Sequence, residues 1–421
     1  MRRLRVRAVA ALALAALGAG AGAIACGDDD NAPAANGNRD GGGGGTVTDA
    51  SAPTFEAGPP PNNDAGIFTI EDVADTPCET RGGSLKEVYA ANATTYRPLA
   101  MVAVGARRAM RNDENVVLMD ADGSNPAVLQ TPLFVNAIGS TPNGLVAIAN
   151  DTSLKLLRFD SAGAPIGSAI DLAKNTTGYG TGGGEGKALF AWVDDAHELR
   201  AFGVGEQGGP LAPYFAFRSG IDESQGAVFA VAHAGGDEFG VASAGTSSDG
   251  KTDRLVFTRV STTKRLHTSY TLVVGTDRIR LVGMAHLEKN FAILAERRVA
   301  SGPEILLFVL DAEGRFVGPT RRLLGVQRAF GVASSGGEIG VVAWRRGAGP
   351  DPNPDAIELR PFDAQGAPLG SWVCLDEPFN MPTVDVGAAV LGEPNGYSVL
   401  MRTPKHAVAM ARVDRRGTGG Q

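Results

Sequence analysis

The chain has 421 residues and a formal charge of −7, with 46 Asp and Glu against 39 Lys and Arg. That acidic balance argues against a nucleic-acid or anionic-membrane surface, because neither a phosphate backbone nor anionic lipid is attracted to it. No Gly-x-Ser-x-Gly, His-Glu-x-x-His, phosphate loop or Cys-x-x-Cys occurs, so the best-marked hydrolase, zinc-protease, nucleotide and thiol-redox signatures are absent.

Residues 1–25 read as an address. Arg2, Arg3, Arg5 and Arg7 make a cationic start, and the run from Ala8 to Ala23 carries no charge. It is short for a membrane span and rich in Gly and Ala rather than Leu and Ile. The run ends in Ala23-Ile24-Ala25-Cys26-Gly27. This arrangement resembles a bacterial lipoprotein signal, whose lipobox places a cysteine directly after the cut. The resemblance implies a lipid on Cys26, loss of residues 1–25, and membrane attachment through that lipid. Gly27 stands where an Asp would retain such a protein in the inner membrane, so the resemblance points to the bacterial outer membrane. Removing residues 1–25 takes away four arginines and no acid, which leaves −11.

Residues 26–65 are Gly, Ala, Asn, Pro and Asp almost throughout, including Asp28-Asp29-Asp30 and Gly41 to Gly45. Such a segment has little to bury and reads as a disordered tether holding a body off the membrane. Residues 66–421 form that body.

The body repeats. Phe159-Asp160-Ser161-Ala162-Gly163-Ala164-Pro165-Ile166-Gly167 returns as Phe362-Asp363-Ala364-Gln365-Gly366-Ala367-Pro368-Leu369-Gly370, and more loosely from Leu310-Asp311 to Gly318. In such a turn the Asp accepts from backbone amides ahead of it, and the Gly takes the φ > 0 position. Corresponding turns fall at residues 120, 160, 205, 261, 311, 363 and 414, between 40 and 56 residues apart. Ahead of them lie apolar strands: Leu99–Val104, Leu145–Ala149, Leu189–Val193, Phe239–Ala242, Phe291–Ala295, Ile339–Trp344 and Tyr397–Met401. Each unit reads as strand A, turn, strand B, loop, strand C, Asp/Gly turn, strand D. No convincing amphipathic helix follows the signal. A period near 50 made of short strands predicts an all-β, seven-bladed β-propeller of four-stranded antiparallel blades. The seventh unit lacks a strand D, so Ile67–Ile70 is expected to supply it and close the ring.

With Cys26 set aside, Cys78 and Cys374 remain as an even pair, and a disulfide between them is expected to staple the ring near its seam. Two free thiols are the alternative.

The first unit, Val117-Leu118-Met119-Asp120-Ala121-Asp122-Gly123-Ser124-Asn125-Pro126, resembles the blade repeat of the TolB-type propellers of bacterial envelopes. The likeness covers that unit alone. It implies a propeller and an envelope setting, and it carries over neither partners nor activity. The Ser-x-Asp-x-Gly-x-x-Trp pattern of sialidases is absent.

Candidate chemistry is sparse. Asp120-Ala121-Asp122-Gly123 begins like a calcium loop but lacks the later acidic ligands, so no metal is expected, and no cofactor. His233 and His286 occupy equivalent places in units four and five. They read either as a ligand-touching pair at the axial channel or as polar strand ends beside a turn. Arg345 and Arg346 open the longest B–C loop, up to Ala356, which proline stiffens. Arg107, Arg108 and Arg111 of unit one are expected in the matching loop, and with Arg297 and Arg298 of unit five they would make one basic face. The function expected is a tethered, non-catalytic module, monomeric, that binds an envelope or extracellular protein or glycan through those loops. The rival is an envelope hydrolase or lyase working in the axial channel.

Overall fold

The computed structural model describes residues 69–415 apart from 79–85, 91–98, 113–114, 132–133, 142–143, 151–152, 175–177, 185–186, 194–198, 205–214, 218–227, 247–249, 262–266, 276, 347–354, 376–386 and 403–406. The signal, Cys26 and the tether lie outside these residues, as do the turns expected near 205 and 261. The fold is an all-β propeller built from small antiparallel sheets, as the repeats predict. Among the described residues there are seven sheets, six of four strands and one of five.

Blade one contains Ala100–Val104, Arg107–Asn112, Asn115–Asp120 and Ala127–Val128 as strands A to D. Blade two contains Phe134–Thr141, Gly144–Asn150, Ser153–Asp160 and Ile170–Lys174. Blade three contains Gly178–Gly184, Lys187–Val193, Leu199–Val204 and Phe215–Phe217. Blade four contains Val228–His233, Glu238–Thr246, Asp253–Ser261 and His267–Gly275. Blade five contains Arg278–Leu287, Asn290–Val299, Gly302–Asp311 and Thr320–Leu323. Blade six contains Val326–Ser335, Glu338–Arg346, Asp355–Phe362 and Val373–Cys374. Blade seven contains Ala388–Glu393, Gly396–Arg402 and Ala407–Asp414 as strands A to C.

Seven apolar clusters hold the ring, each between one blade and the next. The cluster between blades four and five gathers Phe257, Phe291, Ile293 and Phe308. The one that joins blade seven back to blade one gathers Leu400, Val408 and Met410 with Met101, Met110 and Met119. A strand B or C is therefore covered on both faces, and every residue of Gly396–Arg402 is buried. Neighbouring blades come close enough to forbid a side chain at some positions. A Cβ on Gly240 of blade four would stand 2.5 Å from the Phe291 ring of blade five.

The turns form by the expected local chemistry. Asp160 Oδ1 accepts from the amides of Ala162 at 2.9 Å and Ala164 at 2.8 Å. Asp311 does the same for Glu313 and Arg315, and Asp363 for Gln365 and Ala367. Gly163, Gly314 and Gly366 follow at φ of 92°, 75° and 80°.

Two expectations are corrected. Of the segment Ile67–Ile70, Thr69 and Ile70 are described, and they pair with blade five rather than completing blade seven. A strand over Ile70–Val73 instead lies parallel to Thr320–Leu323 as the fifth strand of blade five, while Lys86–Ala90 pairs with Ala407–Asp414 and closes the ring. Side-chain complementarity decides the choice, because Val88 and Tyr89 meet the apolar seam cluster whereas Glu71 and Asp72 carry charges that match Arg321 and Arg322 of blade five. Second, Leu99–Val104 is strand A of blade one, not strand B, since Ala100–Val104 pairs with Arg107–Asn112 and the Asp120 strand comes third.

Candidate functional site

The segment from Ile70 to Cys78 is a strap laid over the rim of blades five and six. Arg322 of blade five bonds Asp72 through Nε at 2.6 Å, and Arg321 pairs with Glu71. On blade six, Arg360 donates to the Ala74 carbonyl at 2.8 Å, while Arg345 donates to the Thr76 carbonyl at 3.0 Å and pairs with Asp75. Trp372 is fully buried and packs against both guanidinium groups, whose carbons stand 5.0 Å and 5.5 Å from its ring. The strap ends in the expected disulfide, Cys78 to Cys374, with Cα atoms 5.4 Å apart. The bond joins strap to blade six, ahead of the closing strand rather than after it.

Glu358 sits across strand pair C–D from Cys374, fully buried. Arg345 donates to its Oε2 at 2.6 Å, and its Oε1 has no hydrogen-bond partner. Burial pushes this carboxyl up to about 7, against the opposing pull of Arg345 and Arg360.

A second buried ion pair fixes the seam. Arg108 of blade one grips Glu393 of blade seven with two nitrogens, Nε to Oε1 at 2.7 Å and the other amino group to Oε2. Ser398 donates to Glu393 Oε1 at 2.9 Å, and Ser335 of blade six donates to the Glu393 carbonyl at 2.6 Å. Three blades thus converge on one residue. Beside it lies a recess of about 100 Å³ lined by Glu393, Asn395, Tyr397, Arg412 and Asp414, well below the roughly 300 Å³ at which small-molecule sites begin.

The arginines named from sequence do not share a face. Arg107 and Arg108 begin strand B of blade one, opposite Val104 and Ala103 at the A–B turn. Arg297, Arg298 and Arg345 end strand B of blades five and six, at the other end of the ring. Taking strand A for strand B in blade one placed Arg107 and Arg108 at the wrong end, and the expected single basic face is lost with it. Arg111 does reach the B–C end, where it donates to the Asn136 carbonyl of blade two. Arg297 bonds Glu304 through Nε at 3.1 Å, and Arg345 is only 2 % exposed. Arg298 remains 70 % exposed with Glu296 at 3.6 Å. The Arg346 side chain and the loop 347–354 lie outside the described residues.

His233 and His286 do occupy equivalent positions, each ending a strand A opposite the first aromatic of strand B, Phe239 or Phe291. Their rings lie 5.0 Å and 4.9 Å from those aromatics. His233 Nε2 meets the Gly236 carbonyl at 3.0 Å. Burial, and then the neighbouring His233, hold the His286 ring below the usual histidine range. The two rings are close enough for His233 to act on His286; His233 is tied to its own turn, and His286 packs on Phe291.

Sequence reading missed Glu358, Glu393 and Trp372. Glu358 and Glu393 lie within strands and Trp372 directly precedes one, and their partners lie elsewhere in the chain, up to 285 residues away for Glu393.

The fold defines the class, a β-propeller. No family model and no curated protein matches the chain. Among solved structures it is similar to a prolyl endopeptidase, at 13 % identity over 77 % of this chain and 47 % of that one, with a TM-score of 0.46. It is similar to U3-55K at 9 % identity, 80 % and 100 % coverage and a TM-score of 0.49. The lectin BP39L from Burkholderia pseudomallei gives 13 % identity, 78 % and 98 % coverage and a TM-score of 0.49. The chain spans about half the length of the prolyl endopeptidase it matches. These likenesses accompany the fold and say nothing of activity or ligand.

Proposed function

We propose that this chain is a non-catalytic binding propeller of the bacterial envelope, anchored through a lipid on Cys26, that engages a protein or glycan through loops at one end of the ring. The observation that carries this reading is the use of its buried charges. Arg108 and Glu393 bind blade one to blade seven, and Arg345, Arg360 and Glu358 bind the strap to blade six. These groups serve the scaffold, which leaves the non-repeating loops as the surface free to vary. The B–C end is the favoured face, because the exposed Arg298 and the loop 347–354 both belong to it.

Two measurements test the reading. Cells making the full chain are labelled with a fatty-acid analogue, and Cys26→Ala is expected to lose the label and leave the membrane fraction. The detergent-solubilised protein is then screened on glycan arrays and by cross-linking to envelope proteins. Arg298→Glu combined with replacement of residues 347–354 by Gly and Ser should weaken capture about tenfold or more. Label retained on the Cys26 variant, or capture unchanged by the loop variant, would defeat the proposal.

A further inference from the structure

We propose that Cys78–Cys374 is a reducible latch rather than a permanent staple, with Glu358 as the proton donor to the departing Cys374 sulfur. The two sulfurs and a Glu358 carboxylate oxygen all lie within 4.8 Å of one another. Native interiors rarely leave a buried carboxylate oxygen unpaired, yet Glu358 Oε1 has no partner. A disulfide sulfur has no proton to offer it. A Cys374 thiol does, so the site is completed by the reduced state.

The surroundings suit the chemistry. Arg345 from strand B and Arg360 from strand C face Glu358, Asp75 of the strap neutralises part of Arg345, and the two sulfurs stand beside the carboxylate. Two guanidinium groups favour a developing thiolate. The carboxyl at about 7 holds its proton near neutral pH, which a carboxyl of ordinary acidity would not.

Access chooses the sulfur attacked. Cys78 is half-buried and Cys374 is buried. A thiolate of an external dithiol attacks Cys78 Sγ, the Sγ–Sγ bond breaks, and its electron pair goes to Cys374 Sγ, which takes the proton of Glu358. The second thiol of the reductant then attacks its own sulfur in the mixed disulfide and releases Cys78 as a thiolate. Two electrons pass to the protein, the reductant leaves as its cyclic disulfide, and solvent reprotonates Glu358. Afterwards the arginine contacts to Ala74, Asp75 and Thr76 and the packing of Val73 remain to hold the strap on the ring. Ring closure by Lys86–Ala90 is untouched.

The test treats the full chain with dithiothreitol in EDTA at about pH 5.5 to 8.5, counts alkylated thiols by mass and follows cleavage within the strap by a protease. Reduction should proceed with the near-ultraviolet circular dichroism intact, and the strap should become cleavable. The rate ratio of wild type to Glu358→Gln should be about tenfold near pH 6 and fall toward one above pH 8, where Glu358 has lost its proton. If Glu358→Gln does not fold, the wild-type rate divided by the thiolate fraction of the reductant carries the test, and it should fall about tenfold over the same range. A flat ratio or flat corrected profile, or reduction that occurs only as the dichroism collapses, overturns the proposal.

Discussion

Asp160, Asp311 and Asp363 were legible in the sequence because their chemistry is local. A carboxylate that caps two amides within four residues, followed by a Gly at positive φ, needs no other part of the chain. In the first unit the same job is divided: Asp122 Oδ1 takes the Ser124 amide and hydroxyl, and Asp120 Oδ2 takes the Asn125 amide group. The carboxylates that suggested a calcium loop are thus used by the turn itself. Asp363→Ala removes two acceptor contacts, at 2.9 Å and 2.7 Å, and should lower stability in urea by about 1–2 kcal/mol. Glu358 and Glu393 were not legible. Their meaning depends on which strands become neighbours, and single acids in strands carry no spacing that reveals it.

At the scale of strands, periodicity located six of the seven B strands and misplaced the first. Blade one joins A to B through only Gly105 and Ala106, and its strand A, Ala100–Val104, is wholly apolar whereas its strand B, Arg107–Asn112, is mostly polar or charged, so the apolar signal marked the wrong strand. A shift of one strand reverses direction, and so it moved Arg107 and Arg108 to the opposite end of the ring. The same error hid the seam pair. Arg108→Ala leaves the buried Glu393 without its counter-charge and should cost about 3–5 kcal/mol in urea unfolding, whereas Arg108→Met combined with Glu393→Leu should recover most of that loss. A double variant as unstable as the single one would show that the pair does more than neutralise itself.

Across the molecule, the ring was readable from its period while its fastening was not. Two candidate segments precede blade one, and only the match of their side chains to a particular edge, apolar at blade seven and charged at blade five, separates strap from closing strand. The strap spans charges on blade five, arginines on blade six and the disulfide across 296 residues. Because so long a loop is closed, Cys78→Ser with Cys374→Ser should lower stability by up to about 5 kcal/mol under non-reducing conditions. Urea unfolding of the double variant beside the wild type measures it, and an unchanged midpoint would mean that the ion pairs alone hold the strap.

The closing strand also dictates an order of events. Lys86 pairs with Met410, so blade seven cannot be completed until synthesis has passed residue 410. Until then Val88 and the Met101, Met110 and Met119 face of blade one have no partner from blade seven. Synthesis from the amino end therefore passes through an unsealed ring with one sticky edge at each side of the seam, and pairing of Lys86–Ala90 with Ala407–Asp414 is the step that makes it safe from self-association.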